Sequence, residues 1–217
     1  MKTRLSLILG GLFLLSQAAT GFASTTFTVS AAIPMATGVG FTVSSVNATT
    51  NVFTTLAAGT TALNFGTLTS TNVGTVGTPS YIYLPSNYYA LDIAATGGAG
   101  SPDTTVTYTE GAVPAGAVSS LGYKATATFV KEVYTGASTP PTETGITSVG
   151  PKKRLIDLSA LHVPYTTVSG GWLRVYVGIW NGSTTATYPD PANGQPFTAA
   201  DAPGTYSGTL TFTETVD

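Results

Sequence analysis

Residues 24–35 read STTFTVSAAIPM, and from Phe27 onward every second side chain is apolar: Phe27, Val29, Ala31, Ile33 and Met35. Successive side chains of a β-strand point to opposite faces, so this period of two puts all five on one face of an extended segment. The pattern returns along the chain. Tyr89, Leu91, Ile93 and Ala95 alternate with Tyr88, Ala90, Asp92 and Ala94, and further alternating sets are Tyr123, Ala125, Ala127 and Phe129, then Leu173, Val175, Val177 and Ile179. Tyr206, Gly208, Leu210 and Phe212 repeat it near the C-terminus; Phe41 and Val43 open another strand, and Leu63 and Phe65 mark one within LNFGTLT. Turn residues separate these segments and no helical apolar stripe appears. The expected fold is all-β, with one face of each strand buried.

Only 8% of residues are charged, against about 25% in an average protein. The many β-branched and aromatic residues argue for packed strands rather than disorder. Cysteine is absent, so neither disulfides nor thiolate metal sites hold the fold, which rests on burial and strand pairing. Lys2 and Arg4, the apolar residues 5–15 and the small-x-small Gly21-Phe22-Ala23 together predict a signal peptide over residues 1–23, cut after Ala23. The apolar run is shorter than the roughly 20 residues of a spanning helix, and nothing later is longer, so no transmembrane span is expected in the mature, secreted chain. Without Lys2 and Arg4 the eight basic residues fall to six against ten acidic ones, a net charge of -4, which argues against nucleic acid as a partner, and none is expected.

Removing 23 of 217 residues leaves 194, enough for one large β-sandwich or two small ones, and one is expected because neither half closes a strand set alone. The expected organisation is a leader over 1–23, an N-terminal strand over 24–35 and a β-sandwich over 36–217. Residues 96–102, TGGAGSP, are the best hinge, and residues 136–151, rich in Pro, Thr and Gly, read as a surface loop. Unpaired backbone groups at a sheet edge invite another chain, and charge or proline normally deters it. Residues 25–33 and 205–213 carry neither. Burying apolar surface gains about 25 cal/mol per Å², so five such side chains entering a groove contribute several kcal/mol.

The alternating strand after the leader, LNFGTLT at residues 63–69 and PGTYSGTLTFT at residues 203–213 resemble donor-strand-exchange pilins, in the style of cysteine-free chaperone-usher fimbrial subunits, and related secreted filament proteins. The resemblance implies an immunoglobulin-like β-sandwich lacking one strand and completed by the N-terminal donor strand of the next subunit. It implies Phe27, Val29, Ala31, Ile33 and Met35 as the residues that fill the neighbour's groove. It further implies a homopolymeric cell-surface filament, a pilus or fimbrium serving adhesion and biofilm, with a periplasmic chaperone and an outer-membrane usher as assembly partners. The tail departs from the chaperone-recognised pattern: Val216 stands where a penultimate tyrosine is common.

Two other readings stand beside this one. The same alternating segment serves equally as the first strand of its own sheet, and Pro34, Gly38 and Gly40 suit a detached strand or an ordinary hairpin. Opposite the inward face of residues 173–179, Trp172, Arg174, Tyr176 and Trp180 form an aromatic row, a candidate surface contact with a subunit, a glycan or a covering loop. Through Trp172, Tyr176 and Trp180 the chain reads alternatively as a monomeric secreted module binding surface glycans.

Catalytic signals are weak. The only histidine, His162, lies in LSALHVPY, and a set of Ser159, His162 and Asp157 lacks a nucleophile-elbow motif. The expectation is no enzyme, no cofactor and no metal. Asp190, Asn193 and Asp201 sit in YPDPANGQPFTAADAPG, which reads as turn chemistry rather than a calcium loop. Lys152, Lys153 and Arg154 form a lone basic cluster, solvated or facing a neighbour's acidic patch. Asn47-Ala48-Thr49 and Asn181-Gly182-Ser183 match the glycosylation sequon.

Overall fold

Two sheets share one apolar core in the computed structural model. It describes residues 27–32, 41–94 apart from 76 and 79, 103–133, 147–148, 152–164 apart from 160, 167, 171–180 and 195–215. The first sheet has the order β12-β8-β15-β1-β4, built from β1 (Phe27–Ala32), β4 (Ala62–Thr67), β8 (Asp103–Glu110), β12 (Leu161–Val163) and β15 (Gly204–Thr215). The second has the order β10-β9-β13-β7-β2-β3, from β2 (Phe41–Asn47), β3 (Phe53–Thr55), β7 (Asn87–Ala94), β9 (Ala125–Val133), β10 (Thr147–Ser148) and β13 (Gly171–Ile179), with β11 (Lys153–Arg154) also on β9. A small third sheet joins β14 (Phe197–Thr198), β6 (Tyr81–Leu84) and β5 (Thr69–Asn72).

The alternation dictates the packing. Val29, Ala31, Leu63, Phe65, Val106, Leu210 and Phe212 of the first sheet meet Val43, Leu91, Ile93, Phe129, Leu173, Val175 and Val177 of the second in a single buried cluster. That is the all-β, sandwich-like arrangement the period of two requires. Strand pairing carries the backbone: β13 lies antiparallel between β7 and β9, and β15 is antiparallel to β8 from Gly208 to Thr215.

Some local expectations come out differently. Tyr123 does not open the strand of Ala125, Ala127 and Phe129; it sits exposed in the one-turn helix α1 (Leu121–Lys124), and β9 starts at Ala125. One helical turn is too short to leave a periodic trace, so the accidental spacing of Tyr123 extended the strand pattern backwards. The segment read as a loop over 136–151 contributes the two-residue β10, paired with Val130 and Lys131. The remainder of that segment, the leader, the hinge at 96–102, Pro34, Gly38 and Gly40, and the sequon at Asn181 lie outside the described residues.

Every side chain from Trp172 to Ile179 is buried, so the outer face of the second sheet is covered as well. Val46, Tyr88, Ala90, Val130 and Tyr176 form a smaller cluster there, with Phe53 packed against it. In its midst lies an ion pair. Arg174 faces Asp92 across the β13–β7 ladder, its Nε donating to Oδ1 at 2.6 Å and its Nη2 to Oδ2 at 3.1 Å, both side chains almost fully buried. The guanidinium also donates to the Tyr176 hydroxyl at 3.2 Å and lies 4.8 Å from the Phe53 ring centre. Burial pushes the Asp92 carboxyl up, and the bidentate bonds from Arg174 pull against it. Burial pulls the other way on Arg174, but the bonds and charge of Asp92 outweigh it and hold the guanidinium above its usual value.

Removing one member of a buried pair strands the other, which costs about 3–5 kcal/mol, whereas replacing both by apolar groups is close to neutral. Asp92→Leu is therefore expected to lose that much in urea unfolding, and Asp92→Leu with Arg174→Met to recover most of it. Equal losses in the single and double variants would show that the stranded charge is not the cause.

Candidate functional site

The N-terminal strand β1 occupies a position that chain order alone does not suggest. It runs parallel to β15, pairing Phe27 with Gly204, Val29 with Tyr206 and Ala31 with Gly208, and on through Ala32 with Thr209. On its other side it runs antiparallel to β4, with Val29 opposite Gly66 and Ala31 opposite Leu63. Among the described strands, β1 is what joins β4 to β15. It thus fills the slot between two strands drawn from remote parts of the sequence. These are the segments LNFGTLT and PGTYSGTLTFT.

Local chemistry shapes that slot. The β1–β4 register shifts between Val29 and Ser30, opposite Gly66, whose φ of +70° belongs to the left-handed region that glycine enters freely. The Asn64 side chain fixes this kink by accepting the Gly66 N–H at 2.8 Å. Across the slot, a side chain at Gly208 would run into the Tyr108 ring, so glycine is required for that ring to lie over β15. Tyr108 in turn donates to Glu110 at 2.8 Å, and Glu110 accepts from Ser120 at 2.5 Å and from the Gly122 N–H at 3.1 Å. Tyr89 reaches across from the second sheet and donates to the Asn64 carbonyl at 2.6 Å, occupying a backbone acceptor of β4.

Of the five residues assigned to this strand's apolar face, Val29 and Ala31 are fully buried in the common core, while Thr28 between them and the chain end is exposed. The Phe27 side chain, Ile33 and Met35 lie outside the described residues. The groove-lining residues Leu63, Phe65 and Tyr206 went unassigned in the sequence, although their own alternation marked each as inward-facing; alternation gives the face of a strand but not its neighbour. In the structure β1 pairs within its own chain.

The aromatic row of β13 is not a solvent-facing surface. Trp172, Arg174 and Tyr176 are buried and Trp180 is half-buried. Part of the cover comes from the β2–β3 hairpin, through Phe53 over Arg174 and Asn51, which accepts from the Tyr88 hydroxyl at 3.1 Å. This agrees with coverage by the same chain.

The remaining polar candidates are dispersed. His162 is exposed on β12 and its Nε2 lies 2.7 Å from Asp103, while Asp157 is held by Arg154 at 2.7 Å, so the two are drawn to different partners. Arg154 also lies over the Tyr123 ring at 5.2 Å, which makes part of the basic cluster an internal contact. Asp190 and Asn193 fall outside the described residues; Asp201 accepts from the Thr198 N–H at 2.8 Å and from Lys124 Nζ at 2.9 Å. Turn chemistry is thus its observed role, with an ammonium beside the carboxylate. Among the described residues no three His, Asp or Glu side chains converge as metal ligands, and no helix is long and apolar enough to cross a membrane.

No protein-family model matches this chain, and no curated protein matches it either.

Two measurements test the site. Val29→Asp places a carboxylate without a partner in a dry core and is expected to cost several kcal/mol, while Thr28→Asp on the exposed side is expected to cost little. Similar melting temperatures for the two would remove Val29 from the core. The second test concerns base. Burial and the nearby Asp201 charge push the Tyr206 phenol up to about 12, and burial also raises Tyr89 and Tyr108. In the unfolded chain these phenols ionise near their usual value of about 10, so above that pH the folded state keeps protons that the unfolded state has lost, and stability falls as pH rises. Denaturation midpoints are expected to be flat through neutral pH and to drop above about pH 10, less steeply in Tyr206→Phe. Free titration of every tyrosine near its usual value in the folded protein would contradict this.

Proposed function

We propose that this chain is the structural subunit of an extracellular filament, in which residues 24–35 leave their own sheet and complete the sheet of a neighbouring copy. The observation that carries the proposal is the place of β1. It lies early in the sequence, yet it lies in mid-sheet, paired on both sides, and joins β4 to the late strand β15. A strand so placed is exchangeable without altering the remainder of the fold, because an identical segment from another copy satisfies the same backbone groups and the same pockets. Withdrawal of β1 leaves two unpaired strand edges and uncovers the Val29 and Ala31 positions, so the slot favours being filled.

In this reading the body is an immunoglobulin-like sandwich, the donor residues are Phe27, Val29, Ala31, Ile33 and Met35, and the partners are identical subunits at the cell surface, served by an export and assembly apparatus of chaperone-usher type. The absence of charge from residues 25–33 suits entry into an apolar slot, the position β1 holds between β15 and β4. The alternative, a monomeric glycan-binding module, drew on Trp172, Tyr176 and Trp180; the burial of Trp172 and Tyr176 leaves it the less supported.

Deletion of residues 24–35 provides the test. The truncated protein is expected to form no filaments in electron micrographs of concentrated samples and to be destabilised, and a synthetic peptide of residues 24–35 is expected to bind it and restore its stability. The full mature chain is expected to form uniform thin filaments. Filaments from the truncated protein, or a full chain that stays monomeric at every concentration, would overturn the proposal.

A further inference from the structure

The second buried ion pair differs from the first in one respect. Lys124, at the end of α1, and Asp201, in the turn between β14 and β15, meet at 2.9 Å with side chains 4% and 0% exposed. Two aromatic rings stand beside the pair: the ammonium lies 5.6 Å from the Phe197 ring centre, and Phe197 packs edge-on against Tyr206 at 4.8 Å. Whereas both oxygens of Asp92 are bonded to Arg174, only Oδ2 of Asp201 has partners. Oδ2 accepts from Lys124, from the Thr198 N–H at 2.8 Å and from the Thr198 hydroxyl at 3.2 Å. Oδ1 is buried with no hydrogen-bond partner. A carboxylate oxygen buried without a donor is among the costliest groups a fold can hold.

We infer that Lys124 and Asp201 are a modification site, at which the two side chains condense to an intramolecular amide. The Lys124 amine, having passed one proton to the carboxyl, attacks Cγ of Asp201; the Cγ–Oδ1 bond breaks and the nitrogen gives up a second proton. The ammonium and carboxylate thus become a neutral amide and one water, with no redox change and no further reagent. Contact in the folded state replaces a bimolecular encounter by an intramolecular one.

The surroundings suit the product as well as the reactants. The retained oxygen, Oδ2, keeps the Thr198 N–H and hydroxyl as donors. The amide N–H keeps an acceptor in the Pro196 carbonyl, which Lys124 Nζ already contacts at 3.0 Å. The atom expelled is Oδ1, the one the fold leaves unsatisfied. The bond would clamp the turn leading into β15, which grips β1, to the start of β9 in the opposite sheet. Formation of this amide requires no second copy of the chain.

Intact-mass spectrometry of the denatured, purified chain reads the result directly. The expected mass is about 18 Da, one water, below that of the unmodified sequence with the same termini, and Lys124→Met and Asp201→Ala are each expected to lack this deficit. Trypsin is expected to leave the acylated Lys124 uncut and to yield one branched peptide joining the segments around residues 124 and 201. As a folding control, Lys131→Met, an alteration away from the pair, is expected to keep the deficit. A full-mass chain that is cut at Lys124, in protein purified fully folded and aged at neutral pH, would overturn the inference.

Discussion

The first sheet is continuous because of a single strand. β4 and β15 are neighbours through β1 alone among the described strands, so the backbone groups on their facing edges find partners only when the N-terminal segment lies between them. Such groups are costly to leave unpaired once the sheet is packed. The other elements around the slot are consistent with this dependence. The Gly66 kink, the glycine under Tyr108 and the Tyr89 hydroxyl on the Asn64 carbonyl all shape the strands that hold β1. The common core depends on it too, since Val29 and Ala31 supply this strip of its first layer.

A chain with so few charges places four of them where water does not reach. Arg174 with Asp92 and Lys124 with Asp201 are both nearly sealed from solvent. Such pairs contribute little net stability against well-packed apolar substitutes, but they penalise any arrangement in which the partners fail to meet. The Arg174 pair specifies register, because a slip of β13 against β7 by one residue sends the two groups to opposite faces. The Lys124 pair specifies tertiary placement, tying the α1–β9 corner to the turn before β15. In the absence of cysteine these contacts perform a locating task that disulfides often perform in exported domains.

Much of the fold was legible because a period of two is a local property. The strands of residues 87–94, 171–179 and 204–215 and the inward sets Leu91 and Ile93, Leu173 to Val177, and Leu210 and Phe212 follow from it directly. What lies over a face is not local. What covers Tyr176 was left open between a subunit, a glycan and a loop of the same chain, because the sequence separates it from Phe53 by more than a hundred positions. Tyr123 matched the alternation by chance in a helical turn too short to announce itself. Lys124 gave no signal at all, since a lone lysine is normally a surface residue, and only the turn at Asp201 brings it a partner inside. In the same way the strand β1 was evident as a strand, while its slot between β4 and β15 required the three-dimensional structure.

The parallel pairing of β1 with β15 has a kinetic side. Gly204 meets Phe27 from nearly the other end of the chain, and contacts of such sequence separation form late, after the intervening residues have condensed. The slot therefore stands open, next to a partly formed core, for an interval set by how fast β1 and β15 find each other. Under the strand exchange proposed above, that interval becomes a competition between one tethered strand and the strands of surrounding copies. Its winner is decided by local concentration as much as by affinity.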